Sequence, residues 1–374
     1  MIPQRAAEFA FDPALVQLNH ASFGAPTRAA LDRLAREHAR LERDTALRLG
    51  DGLADDLAPV RRLVAGLLGA AEAQVALVAN ATEASGALAT SLPLDAGDAV
   101  ALLDVEYESV LRAWRERCTR TGARLAVLPT AVPATEDSLL AAFERLPAGT
   151  RYVVVSAVTS STALRVPVRE VVRLAGAQGA AVLIDAAHVV GHEPPDVATC
   201  GALAAFGSLH KWLPAPRSSG FLWLAPSLVD VVRPAAVALR YDEDLAARFA
   251  WRGTWDPAPA LGLPEAAREW RAWDQAGDLR HAAALADAAT GELEAVGWRP
   301  TGAVALRPAR LRAFVVPAPL DRLRAAAEAS GLRLWSGVAP DGRTLARLAT
   351  HVWTDESDVA RAVSLARSIG DSGR

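Results

Sequence analysis

The sequence predicts an α/β protein, with a large domain on a mostly parallel sheet and a smaller α+β domain behind it. Three observations carry this. Short β-rich runs alternate with Ala-rich stretches of helical spacing through the first half of the chain, and such alternation builds a parallel sheet covered by helices. The 374 residues are 51% hydrophobic and 22% charged, enough to bury a sizeable core and too apolar for disorder. From about Leu245 the pattern changes to Trp- and Arg-rich helices, and a unit of βαβ character follows. The expected division is an N-terminal arm (1–16), a large domain (17–245), and connecting helices with a small domain (246–374).

Taken in order, Arg28 to Arg48 reads as an amphipathic helix with Leu31, Leu34 and Leu41 on one side. Candidate strands follow at Gln74–Val78, Ala99–Leu103, Arg124–Leu128, Tyr152–Val158, Ala181–Asp185 and Gly220–Leu224. Val110–Thr121 and Arg169–Gln178 carry helical spacing between them. The last unit holds Leu311–Val316, a helix at Arg322–Ala329, then Leu332–Trp335, Leu345–Val352 and a final helix from Glu356.

A net charge of −3 argues against nucleic acid as the main partner. The two cysteines, Cys118 and Cys200, are too few for a disulfide scaffold or a zinc cluster, and no metal site is expected. The start lacks the apolar core of a signal peptide, and no uncharged apolar run approaches the roughly 18 residues of a membrane span. A cytoplasmic location without a membrane partner is expected.

Of the 40 basic residues, Lys211 is the one lysine and the rest are arginines. A coding bias toward Arg explains why lysines are missing but not why one persists. Arg replaces Lys in surface charge and ion pairs, yet its guanidinium cannot form a Schiff base. The neighbours of Lys211 point to such chemistry.

In open parallel sheets, ligands sit at the carboxyl ends of the strands, and five segments there carry polar residues. In Asn80-Ala81-Thr82-Glu83, Thr82 can cap a helix whose first N–H groups suit an anion. Tyr107, in Asp104-Val105-Glu106-Tyr107, can stack on a flat ring. Thr159-Ser160-Ser161-Thr162 offers four hydroxyls, although turn chemistry alone accounts for such a run. Asp185 ends the apolar run Ala181–Ile184, where a carboxylate is costly unless paired, and a pyridinium N–H is a suitable partner. His188 lies three residues on. Lys211 follows two more candidate phosphate ligands, Ser208 and His210. An Asp ending a strand with a Lys 26 residues later is the spacing of a pyridoxal phosphate site.

Together these segments resemble the class V aminotransferase-like branch of fold-type I pyridoxal phosphate enzymes. The likeness runs from Leu18-Asn19-His20-Ala21-Ser22-Phe23-Gly24 through most of the chain. Its most specific pieces are Val158–Arg165, Asp185-Ala186-Ala187-His188-Val189-Val190-Gly191-His192, and His210-Lys211-Trp212-Leu213 followed by Pro216-Arg217. Proteins related to isopenicillin N epimerase and the C–S lyases of ergothioneine and lincosamide biosynthesis share them. The resemblance implies that Lys211 carries the cofactor covalently, Asp185 pairs with the pyridine nitrogen, and His188 contacts the ring oxygen. Thr82, Ser208 and His210 match phosphate ligands, with backbone help from Ala81 and Glu83, and Ser160 is expected to bind the cofactor as well. Tyr107 falls where many relatives place a stacking histidine. Thr254, in Gly253-Thr254-Trp255-Asp256, matches a residue that reaches the partner subunit's phosphate, implying a homodimer with shared active sites. Arg347 matches the arginine that grips the substrate carboxylate, a task suited to its fork, and Asn19 and His20 are expected on the substrate side.

From Leu332 to Leu348 the chain has no cysteine, so the persulfide chemistry of cysteine desulfurases is not expected. The resemblance implies an enzyme acting on an amino acid, with C–S cleavage of an S-conjugated cysteine in secondary metabolism preferred. Epimerisation is the first alternative, because it needs a second acid or base on the opposite ring face. Tyr107 could serve there, or His20 if the N-terminal segment folds over the site. Transamination and decarboxylation start from the same residues. A binding module that kept the fold and lost the chemistry is the rival class.

Overall fold

The computed structural model describes residues 5–196 and 198–371. Seven strands form the large sheet: β1 (Val75–Val78), β2 (Ala99–Leu103), β3 (Arg124–Leu128), β4 (Thr150–Ser156), β5 (Ala181–Asp185), β6 (Ala204–Ser208) and β7 (Gly220–Leu224). Their order is β1-β7-β6-β5-β4-β2-β3, and every adjacent pair is parallel except those made by β7. Every residue of β1, β2, β6 and β7 is buried. That is why these strands read as continuous apolar runs rather than alternations. Helices cover both faces, with one apolar cluster around Val64, Val153 and Ile184 and a second around Leu88, Trp114 and Phe206.

Three expectations are corrected. The strand β6, Ala-Ala-Phe-Gly-Ser, is absent from the sequence reading because Ala and Gly have poor β propensity. Burial between β5 and β7 makes it a strand. The helix expected over Arg28–Arg48 breaks at Asp44, whose carboxylate accepts from the Leu47 N–H at 3.2 Å and starts a separate helix, Thr45–Leu49. Its inner face uses Ala30, Glu37 and Leu41, whereas Leu31 is exposed.

The small domain contains β8 (Leu311–Val315), β9 (Trp335–Val338) and β10 (Thr344–Ala349). Both β8 and β9 run antiparallel to β10. The βαβ unit is therefore split: β8 and β9 are parallel, with β10 inserted between them. The N-terminal segment joins this domain, because Val16–Gln17 pairs with Leu332–Arg333 and the Ala349 N–H donates to the Leu18 carbonyl at 2.8 Å. The following turn, His20–Phe23, ends at Gly24, whose φ is +72°. A Cβ there would lie 1.6 Å from the His210 carbonyl oxygen. Only glycine lets this turn press against the backbone that carries Lys211.

Candidate active site

Asn80, Tyr107, Ser156, Asp185 and Ser208 stand at or just past the ends of β1, β2, β4, β5 and β6. Because those strands are parallel, all five reach one edge of the sheet. The approach is close at Gly220, where a Cβ would meet the Gly207 carbonyl at 2.7 Å and the Asn80 Cα at 2.9 Å. A cavity of about 320 Å³ opens there, lined by Thr82, Tyr107, Ser160, Asp185, Lys211 and Arg347 among others.

Lys211 and Asp185 both line it. Burial lowers the Lys211 pKa to about 8; Asp185 opposes that shift and Arg347 assists it. Asp185 accepts from the Ala187 N–H at 2.8 Å through Oδ1, and burial holds its carboxyl above the usual range. Among the described residues no hydrogen bond is made to its Oδ2, and the side chain lines the cavity. A carboxylate so placed needs a cationic or N–H partner. His188 stands with its Nε2 3.5 Å from the Lys211 amine, and burial keeps its ring neutral. The Tyr107 ring is 5.8 Å from the same amine and half-exposed.

An anion cradle lies on the other side. The helix Ala81–Ser91 points its N-terminus at Ser208, with the Ala81 N–H 3.4 Å from the Ser208 hydroxyl. Asn80 caps the helix by accepting from the Glu83 N–H at 3.0 Å. Among the described residues the N–H and hydroxyl of Thr82 have no hydrogen-bond partner, as an anion site requires. His210 donates through Nδ1 to the Ser219 carbonyl at 2.9 Å, and burial lowers its pKa to about 4. To donate to an anion through Nε2 the ring must take a second proton, which an adjacent phosphate favours.

Arg347 comes from β10 in the small domain. Burial lowers its pKa to about 10, and among the described residues it pairs with no carboxylate. It donates instead to Ser22 at 2.7 Å, to Asn19 at 3.3 Å and to the carbonyl and hydroxyl of Ser160. Trp335 lies 5.3 Å beneath the guanidinium. A buried cation with only neutral partners is poised for an incoming carboxylate.

The structure does not bring every expected residue to the cavity. Glu83 turns away: its N–H is consumed by Asn80 and its carboxylate binds the Ala79 N–H and Arg252. His20 lies among Trp212, His351 and Trp353, with both ring nitrogens buried and unpartnered. Asn19 acts through Ser22 and Arg347. Thr254 is exposed and outside the cavity lining. The hydroxyl run divides, because Thr159 and Thr162 bond each other at 2.7 Å inside the turn while Ser160 reaches the cavity. Sequence reasoning missed Ser22, Glu106 and Trp335. The signal for the first two was their place inside motifs already singled out.

A lysine of lowered pKa, a buried carboxylate lining the cavity and a helix N-terminus that presents Thr82 to it fit an aldehyde, a pyridine nitrogen and a phosphate. With this fold they define a fold-type I pyridoxal-phosphate-dependent enzyme. The chain belongs to the aminotransferase class-V family, matched over residues 27–325. It is 31% identical to isopenicillin N epimerase of Streptomyces clavuligerus, an alignment covering 68% of each chain. It is 27% identical to L-cysteine desulfhydrase of Arabidopsis thaliana, over 67% of this chain and 59% of that one. Among solved structures, a mutant of C-DES with glycine covalently linked to its PLP cofactor superimposes with a TM-score of 0.85. That match has 19% identity and covers 97% of this chain and 99% of the other. C-DES is a cystine C–S lyase.

Proposed function

We propose that the protein is a lyase that cleaves the C–S bond of an S-conjugated cysteine. Pyridoxal phosphate supplies the electron sink for charge left at the α-carbon when a bond to it breaks. In this reading Lys211 carries the cofactor, Asp185 keeps the pyridine nitrogen protonated, His188 contacts the ring oxygen, and Tyr107 flanks the ring. Ala81, Thr82, Ser208 and His210 hold the phosphate. Arg347, set by Asn19, Ser22 and Ser160, grips the substrate carboxylate. Once freed, the Lys211 amine takes the α-proton. The C–S electron pair then leaves on sulfur, which is protonated to a thiol, and addition of water to the remaining fragment yields pyruvate and ammonia.

The observation that carries the lyase reading is the direction of His20. Epimerisation needs a second acid or base, and the N-terminal segment does lie beside the site. Yet both His20 nitrogens are buried among aromatic rings. The likeness to a desulfhydrase supports the same choice. Epimerisation remains the second reading because the Tyr107 side chain lines the cavity and the chain is similar to isopenicillin N epimerase.

The test offers S-conjugated cysteines and diastereomeric amino acids in deuterated water. Thiol with stoichiometric pyruvate is expected. Deuterium entering both epimers without thiol would overturn the lyase in favour of the epimerase. The proposed assembly is a two-fold homodimer in which Thr254 completes the neighbour's phosphate site. Among the described residues no helix is long and apolar enough to cross a membrane, and we place the enzyme in the cytoplasm.

A further inference from the structure

We propose that Trp212 is a positioning residue whose indole N–H fixes the tautomer of His188, holding the His188 Nε2–H as a donor into the cavity beside Lys211. The inference rests on the lysine-centred site and not on which reaction the enzyme performs. Trp212 follows Lys211, but the two side chains part: Lys211 lines the cavity and Trp212 is fully buried. The indole Nε1 stands 3.2 Å from His188 Nδ1. An indole N–H can only donate, so Nδ1 must accept, and a neutral imidazole then carries its proton on Nε2.

The indole has little freedom to release that bond. His192 stacks flat on it, with ring centroids 3.7 Å apart and planes 10° apart. The Arg310 guanidinium lies 5.0 Å from its centroid, and His20 packs edge-on at 4.8 Å. His192 is locked by the same logic. Its Nε2 accepts from the Arg310 backbone N–H at 2.9 Å, so its Nδ1–H donates to the His188 carbonyl, also at 2.9 Å. The side chain and the backbone of His188 are thus held from one stacked pair.

Two consequences follow at the cavity. A donor directed at the Lys211 amine favours the neutral amine, adding to burial and to Arg347 and working against Asp185. His188 is also suited to bond an oxygen acceptor, and it cannot act as a base through Nδ1 without breaking the bond from Trp212. The charged and titratable groups acting on His188 are Lys211, Arg347, His192 and His20, all of which disfavour a second proton. The opposite tautomer would accept a hydrogen bond from the lysine ammonium and raise its pKa.

Ring-nitrogen NMR of the full-length protein prepared without cofactor tests this, with His188→Gln assigning the signal. Isotope-labelled lysine yields one side-chain resonance, because Lys211 is the one lysine. Wild type is expected to show neutral His188 with its proton on Nε2. Trp212→Phe, which keeps the ring and removes the N–H, is expected to populate the Nδ1–H form. It should also raise the Lys211 titration by about one pH unit, the size of one hydrogen bond. A wild-type proton on Nδ1 would overturn the proposal, and so would a Trp212→Phe protein with tautomer and lysine titration unchanged. The wild-type measurement does not need Trp212→Phe, so it decides the matter even if that variant does not fold.

Discussion

Lys211 and Asp185 pull against each other inside the same low-dielectric pocket. Burial drives the lysine toward its neutral form and the aspartate toward its protonated form, while their mutual attraction opposes both. A bound pyridinium would relieve the aspartate, and a covalent bond to the cofactor would use the neutral amine. Borohydride reduction of the loaded enzyme should therefore attach the cofactor to Lys211, read as added mass on one peptide, and Lys211→Ala should fold without that adduct. A reduced cofactor found on another residue would remove the lysine from its role. Asp185→Asn should retain cofactor but lose more than tenfold in turnover, above ~1.4 kcal/mol of transition-state stabilisation. A smaller loss would mean that Asp185 is not the partner of the ring nitrogen.

Adjacent strand ends concentrate polar groups that their own sequence neighbourhoods do not explain. Glu106 follows β2 and accepts from the Ser156 N–H at 2.9 Å, and Ser156 lies opposite Asp185 in the β4–β5 register. Burial pushes Glu106 up to about 8, and the nearby Asp185 adds to the shift. The folded chain thus keeps a proton that the unfolded chain releases near the ordinary value of 4.5. Between those values the native state binds more protons, so stability falls as pH rises, by up to ~1.4 kcal/mol per unit. Melting temperatures of the cofactor-free protein between about pH 5 and 8 check this. Glu106→Gln should flatten the decline. An equally steep decline in the variant would assign it to other groups.

The molecule as a whole leaves apolar side chains uncovered: Val237 is 80% exposed and Leu239 84%. A two-fold dimer would cover them and bring Thr254 to the neighbouring phosphate site. Sedimentation should report a dimer, and Thr254→Ala should weaken cofactor binding roughly tenfold, about 1.4 kcal/mol for a lost charge-assisted hydrogen bond. A fully active monomer at assay concentration would contradict this. The α/β class, most strand positions and the Lys211–Asp185 pair were legible from residue order alone, because periodicity is local and a Schiff base needs an amine that arginine cannot replace. Arg347 was one arginine among many by its local sequence and stood out only through the resemblance, and folding set it against Ser160, 187 positions away. His20 read as a substrate ligand until packing turned its ring toward Trp212 and His351. Strand β6 formed from weak β formers because its neighbours bury it. Residue type and spacing determined which chemistry this chain can hold. Tertiary structure decided which groups face each other, because hydrogen-bond partners and desolvation depend on distances between segments that local sequence does not encode.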